Sequence, residues 1–179
     1  MEAPTVRLKK ARSYTGLIPI AIYVIALSVR LIGLKFSFPL LTHHDERLVI
    51  DPLIEMSRNH TLDSGRYAKP DQFLYSVLFG YLNLLSKILF HKNFGWAYAD
   101  DPLFFYFHAR LVVAVFGSLI PLLAWKIGKL FKGVDFSLAA AFLTCFYPPY
   151  ILHSHYITAD VLSTVFSLAV ILFCLLYLQ

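Results

Sequence analysis

The sequence predicts an all-α fold, a polytopic bundle of transmembrane helices with further helices at the membrane surface. Hydrophobic residues occupy 58% of the 179 positions and charged residues only 15%, whereas soluble proteins average roughly 45–50% and about 25%. Several apolar runs also approach the roughly 20 residues that a helix needs to cross a bilayer. This composition excludes intrinsic disorder. The two cysteines, Cys145 and Cys174, both lie inside apolar runs, which argues against a disulfide-stapled secreted domain.

Four apolar runs are predicted to span the membrane, at about residues 17–34, 104–125, 136–152 and 161–178. Residues 1–16 form a basic arm ahead of the first run, which is long for a signal peptide and has no small-residue cleavage pattern after it. The positive-inside rule places this arm and the lysines of residues 126–135 in the cytoplasm. Residues 35–103 then form a long external loop.

The external loop is expected to hold two interfacial helices, at about residues 46–58 and 73–90. In the first, Val49, Leu53 and Met56 recur at helical spacing between charged residues. The second is apolar but of marginal length for a span. If it did cross the membrane, the lysines of residues 126–135 would emerge opposite the basic arm, which the positive-inside rule disfavours.

The net charge of +5 is spread along the chain. No basic stretch is interleaved with aromatic residues, so the sequence argues against nucleic acid as a partner. Membrane lipids are the expected surroundings.

Ionisable residues cluster near the start of the external loop, where His44, Asp45 and Glu46 follow one another. One interpretation is structural, because an acidic residue at this position caps the helix that follows. The other is functional, because a carboxylate at the mouth of a membrane cavity can act as a general base. The two roles are compatible.

Two cations lie at the edges of apolar segments. Lys69 precedes Pro70 just ahead of the second interfacial helix, and Arg110 precedes an unbroken apolar run. Each side chain could simply extend to the headgroups. Each could also bind a phosphate, which arginine recognises with two parallel hydrogen bonds. Ionisable residues within membrane segments are candidates for function by default.

A polar, ring-rich segment joins the third and fourth spans and contains His155 and Asp160. Asp160 suits the N-terminus of the fourth span, where a negative charge is favourable. The pair His153 and His155 is a weak match to a metal site, because helical ligand pairs usually stand three or four residues apart.

The order of these features resembles the N-terminal part of GT-C glycosyltransferases. The closest resemblance is to the branch with the dolichyl-phosphate-mannose protein mannosyltransferases and the aminoarabinose lipid A transferases, and it covers residues 17–178. Two positions depart from the family pattern, since Asp71 replaces a second proline after Pro70 and Ala68 stands where a glutamate is common. The shared features are an anchor span, Asp45-Glu46, an amphipathic helix, Lys69-Pro70, Ala109-Arg110-Leu111 and Asp160.

The resemblance implies an enzyme that takes a sugar from a polyprenyl-phosphate donor and transfers it, with inversion, to a protein, lipid or glycan acceptor on the external or luminal face. It implies that Asp45, with Glu46 beside it, provides the base. It also implies that Lys69 and Arg110 bind the donor phosphate. We expect supporting roles for His44, His155 and Asp160, and the resemblance leaves a divalent cation open.

The alternative is a non-catalytic membrane protein, either a transporter fragment or a lipid-binding assembly subunit, in which the same charges line a pathway or dock a partner. The lack of a large soluble insert favours a prokaryotic plasma membrane over the endoplasmic reticulum. The sequence stops after the fourth span, which is the pattern expected of the front part of a longer protein. The enzymatic interpretation requires Asp45 and Asp160 to lie on the same face of the membrane.

Overall fold

The computed structural model describes residues 16–40, 43–62 and 72–178, and every regular element within these ranges is a helix. The predicted all-α class is therefore confirmed for this part of the chain. In chain order the helices are α1 (Leu17–Leu31), α2 (His44–Asn59), α3 (Gln72–Phe90), α4 (Phe94–Ala97), α5 (Pro102–Gly117), α6 (Leu119–Phe146), α7 (Pro148–His153) and α8 (Asp160–Tyr177).

Within the part of the chain that the structure describes, two helical stretches are long and apolar enough to cross a membrane, Pro102–Phe146 and Asp160–Tyr177. The stretches Leu17–Leu31 and Leu74–Phe90 are apolar but shorter. Large apolar side chains are exposed on the outer surfaces of these helices, for example Leu143 in the stretch Pro102–Phe146. An apolar surface of this kind suits lipid better than water. These features support membrane association, while the arrangement of four spans stays a prediction.

Helix α6 reverses direction at Lys132 and Gly133. Gly133 has a φ of 81° and a ψ of −160°, a conformation that side-chain-bearing residues rarely adopt. In a straight helix, residues 128 and 137 would lie about 13 Å apart. A Cβ atom on Gly128 would instead lie 2.9 Å from the Cα of Ser137. The two halves of α6 therefore pack side by side. Residues 126–135, which join two predicted spans, are helical except for a turn of two residues, Lys132 and Gly133.

The second half of α6 ends earlier than the predicted span at residues 136–152. Tyr147 has extended backbone angles, and Pro148 begins the separate short helix α7. Proline has no N–H to donate to the preceding turn, so it favours a helix start over a helix interior.

Arg110 lies along α5 between two hydrophobic clusters. Phe105 and Ala109 belong to the larger cluster, which buries the apolar faces of α2, α3 and α4. Val113 belongs to the smaller cluster, which it forms with Ile120, Val161 and Val165. Helix α2 is amphipathic as predicted, and its apolar face is covered by protein.

Candidate functional site

Glu46 and Arg110 form a buried ion pair that joins the first turn of α2 to α5. Arg110 Nε donates to Glu46 Oε1 and Arg110 Nη2 donates to Glu46 Oε2, both at 2.7 Å. Neither side chain is exposed to solvent. Two parallel charge-assisted hydrogen bonds fix the angle between the groups as well as their distance. The pair therefore holds the start of α2 in one orientation against α5.

The other donors of Arg110 bind the chain that follows α1. Nη1 donates to the carbonyl oxygens of Leu34 at 2.9 Å and Phe36 at 2.7 Å. With the two bonds to Glu46, four of the five N–H donors of the guanidinium have partners. A phosphate could therefore accept two parallel hydrogen bonds from this guanidinium only by replacing one of these partners. The predicted role of Arg110 in phosphate binding stays a prediction.

Glu46 also contacts the segment that leads into α8. Its Oε1 accepts a hydrogen bond of 3.1 Å from the backbone N–H of Ile157. Next to this bond, the ring of His43 stacks on that of Tyr156 with 3.8 Å between centroids. The acidic segment at the start of α2 and the polar segment before Asp160 thus meet at one end of the helices.

Asp45 and Glu46 are neighbours in sequence but occupy different environments. Glu46 is buried and bonded, whereas Asp45 and His44 are exposed on the first turn of α2. A ligand could therefore reach the Asp45 carboxylate and not that of Glu46. Asp160 is also accessible, with 72% of its side chain exposed and Oδ2 at 3.7 Å from His153 Nδ1.

His155 is half-buried and binds the end of α1. Its Nε2 lies 2.9 Å from the carbonyl oxygen of Arg30, and since a carbonyl only accepts, Nε2 carries the proton. Burial lowers the pKa of His155, the hydrogen bond to Arg30 opposes this shift, and the charges of Arg110 and Arg30 add to it. The environment favours the neutral imidazole.

Arg30 takes part in this region although the sequence did not single it out. It is fully buried, and its Nε donates to Ser154 Oγ at 3.2 Å while its carbonyl binds His155. Arg30 therefore ties α1 to the segment that contacts Glu46. The signal was present in the sequence, because a charge inside an apolar run is rare without a partner.

The remaining predicted ligands are less defined. Lys69 lies outside the described residues. Within residues 16–40, 43–62 and 72–178, no group of three or more His, Cys, Asp or Glu side chains is placed to hold a metal ion. The divalent cation stays a prediction.

Comparison with protein-family models, with curated proteins and with solved structures finds no match to this chain. The resemblance to GT-C glycosyltransferases therefore stays a prediction that depends on the order of the short motifs.

Proposed function

We propose that this protein is a membrane glycosyltransferase that moves a sugar from a polyprenyl-phosphate donor to an acceptor at the external or luminal face. The observation that carries the proposal is the contrast at the start of α2, where Glu46 is fixed by Arg110 and Asp45 is exposed beside it. Helices long and apolar enough to cross a membrane support access to a lipid-linked donor.

Asp45 is the general base in this proposal. The acceptor oxygen forms a bond with the anomeric carbon while the bond from that carbon to the phosphate oxygen breaks. The acceptor proton passes to the Asp45 carboxylate, and the lipid phosphate leaves with the bonding electrons. Because phosphate is a good leaving group, the reaction needs no strong general acid. It needs a base and positive charge near the departing phosphate.

Glu46 and Arg110 act as positioning residues. A buried two-point ion pair keeps the first turn of α2 from rotating, so the direction of the adjacent Asp45 is set before substrate binds. Lys69 remains the proposed phosphate ligand. Asp160 supports the site through its segment, whose Ile157 N–H binds Glu46.

The proposal is tested by replacing Asp45 without changing its shape. A membrane preparation of the full-length Asp45→Asn variant is assayed for transfer from polyprenyl-phosphate sugars. Removing a general base lowers the rate by about a hundredfold or more, so a loss of that size is expected. Activity within about threefold of wild type would exclude Asp45 as the base.

Asp51→Asn is the matched control, because Asp51 is also an exposed aspartate on α2 and follows Asp45 by six residues. It should retain wild-type activity. Equal losses in the two variants would point to a general effect of charge on α2. The absence of transfer by the wild-type protein with any of several donor sugars would favour the non-catalytic alternative.

A further inference from the structure

A pocket of about 480 Å³ lies between the chain that follows α1 and the first two turns of α5. Its volume falls in the range of small-molecule sites, roughly 300–1,000 Å³. The sequence did not predict this pocket, and the proposed mechanism does not use its residues. Its lining includes Lys35, Phe38, Asp101, Phe104, Phe107 and His108.

We propose that this pocket binds a neutral sugar ring. The proposal rests on the proposed function and gives the transferred or accepting sugar a place to bind. Three phenylalanine rings, Phe38, Phe104 and Phe107, line the pocket. A sugar ring has apolar C–H faces and hydroxyl groups around its edge, so aromatic faces cover the first while polar groups bind the second.

The polar groups of the pocket supply both acceptors and a donor. Asp101 Oδ1 accepts from the N–H of Phe104 at 3.0 Å, so Oδ2 remains as an acceptor for a hydroxyl group. His108 Nδ1 lies 2.8 Å from the Phe104 carbonyl oxygen and must donate to it. In the neutral ring, Nε2 is then a second acceptor. Lys35, whose Nζ lies 5.7 Å from the centre of the Phe107 ring, is the donor.

The charges of the pocket favour a neutral ligand over a phosphate. Lys35 and Asp101 line the same space, so their charges offset each other. A phosphate attracted by the lysine would also be repelled by the carboxylate, because both carry negative charge. Hydroxyl groups satisfy both side chains at once, since each can donate and accept.

The pocket adjoins the Glu46 and Arg110 pair through a single ring. Phe38 lines the pocket, and the guanidinium carbon of Arg110 lies 4.9 Å from the centre of the same ring. A sugar in the pocket would therefore lie one ring away from the ion pair that fixes the start of α2. This is the neighbourhood in which Asp45 would act.

Saturation-transfer NMR tests the proposal with the full chain in phosphatidylcholine nanodiscs, which avoids detergents that carry sugar headgroups. The probes are methyl α-D-mannopyranoside and methyl β-D-glucopyranoside, with glycerol 3-phosphate as an anionic competitor. We expect transfer to the ring protons of at least one glycoside. Phe107→Leu, which removes one aromatic wall, should weaken it about fivefold. Phe131→Leu is the matched control, because Phe131 is exposed and lies outside the pocket. This variant should leave the saturation-transfer signal unchanged.

Asp101→Asn separates recognition from folding, because asparagine also caps helices. This variant should keep the helical circular dichroism of wild type and lose most of the glycoside signal. The proposal would be overturned if the wild-type chain gave no saturation-transfer signal for either glycoside. Equal signals in the Phe107→Leu and Phe131→Leu variants would also overturn it. So would displacement of the glycoside by glycerol 3-phosphate.

The measurement contains no donor and no reaction, so its outcome is separate from that of the transferase assay. Glycoside binding without sugar transfer would support the pocket proposal and contradict the proposed glycosyltransferase activity. Transfer by a protein whose Phe107→Leu and Asp101→Asn variants bind glycosides normally would leave the enzyme intact and remove the pocket from its mechanism.

Discussion

Glu46 and Ile157 are 111 positions apart in the chain, yet the carboxylate of Glu46 accepts a hydrogen bond of 3.1 Å from the backbone N–H of Ile157. The same oxygen accepts from Arg110 Nε. One buried carboxylate therefore joins α2, α5 and the segment that leads into α8. Because a buried charge is stable only when it is paired and hydrogen-bonded, these elements depend on one another.

The first prediction concerns the stability that this pair supplies. Arg110→Leu leaves the Glu46 carboxylate buried without its partner, and breaking a buried pair in this way costs about 3–5 kcal/mol. The free energy of unfolding, measured by titration with denaturing detergent in mixed micelles, should fall by that amount. Lys92→Met is the control, because Lys92 and Asp100 form an ion pair at 2.7 Å whose side chains are about half exposed. Exposed pairs contribute about 0–1 kcal/mol. Similar losses in the two variants would contradict the prediction.

The hydropathy pattern of the sequence predicted much of the fold. The helices predicted at about residues 46–58 and 73–90 are found as His44–Asn59 and Gln72–Phe90, because apolar spacing reports helices directly. The same spacing does not reveal what covers an apolar face. Lipid and protein satisfy it equally, and in α2 the cover is protein. The predicted span across residues 136–152 ignored Pro148, which is the residue at which a new helix begins.

The candidate site was predicted in part. Asp45, Glu46, Arg110 and Asp160 were selected because charges at the edges of apolar runs are uncommon. Their arrangement was beyond the sequence, because Glu46 and Arg110 are 64 positions apart and no local pattern links them. In the structure Glu46 and Arg110 bind each other. The prediction from the sequence gave them separate roles, Glu46 in catalysis and Arg110 in phosphate binding.

The second prediction concerns the close packing of α5 against the segment before α8. A Cβ atom on Gly117 would clash with Ser154 Oγ and would lie 3.2 Å from a methyl group of Val161. Gly117→Ala should therefore lower the midpoint of thermal unfolding. Gly80→Ala is the matched control, because a Cβ atom on Gly80 meets nothing within 4 Å. Alanine in a helix interior is favoured over glycine by about 0.5–1 kcal/mol, so this variant should unfold at a slightly higher temperature. A higher midpoint for Gly117→Ala would contradict the packing described.

The third prediction concerns pH. The pKa of His155 is lowered from its ordinary value of 6.5, first by burial and further by the charges of Arg110 and Arg30. Between the lowered value and 6.5 the unfolded chain binds more protons than the folded one, so stability rises with pH. The contribution of His155 is fully present above about pH 6.5 and is lost as the pH falls through the folded pKa.

Unfolding midpoints measured from pH 7.5 down to pH 5 should therefore fall more steeply for wild type than for His155→Gln, whose amide can still donate to Arg30. His44→Gln is the control, because His44 is exposed. It should keep the wild-type slope. A slope that is unchanged by His155→Gln would show that other groups account for the acid sensitivity.

The last prediction concerns topology, on which the proposed function depends. The contact between Glu46 and Ile157 brings the segments of Asp45 and Asp160 together, whereas the reversal at Lys132 and Gly133 lies at a separate turn of α6. In a chain with Cys145→Ala and Cys174→Ser, we expect a membrane-impermeant maleimide added to intact cells to label Asp45→Cys and Asp160→Cys. Lys132→Cys should react only after permeabilisation. Lys92→Cys tests whether α3 crosses the bilayer, because residue 92 follows this helix. Labelling from outside means that α3 does not cross, and labelling only after permeabilisation means that it does. If Asp45→Cys and Asp160→Cys react from opposite sides, one site cannot contain both aspartates. The base and its supporting segment would then belong to different compartments, and the transferase mechanism would fail on geometry before any assay of activity.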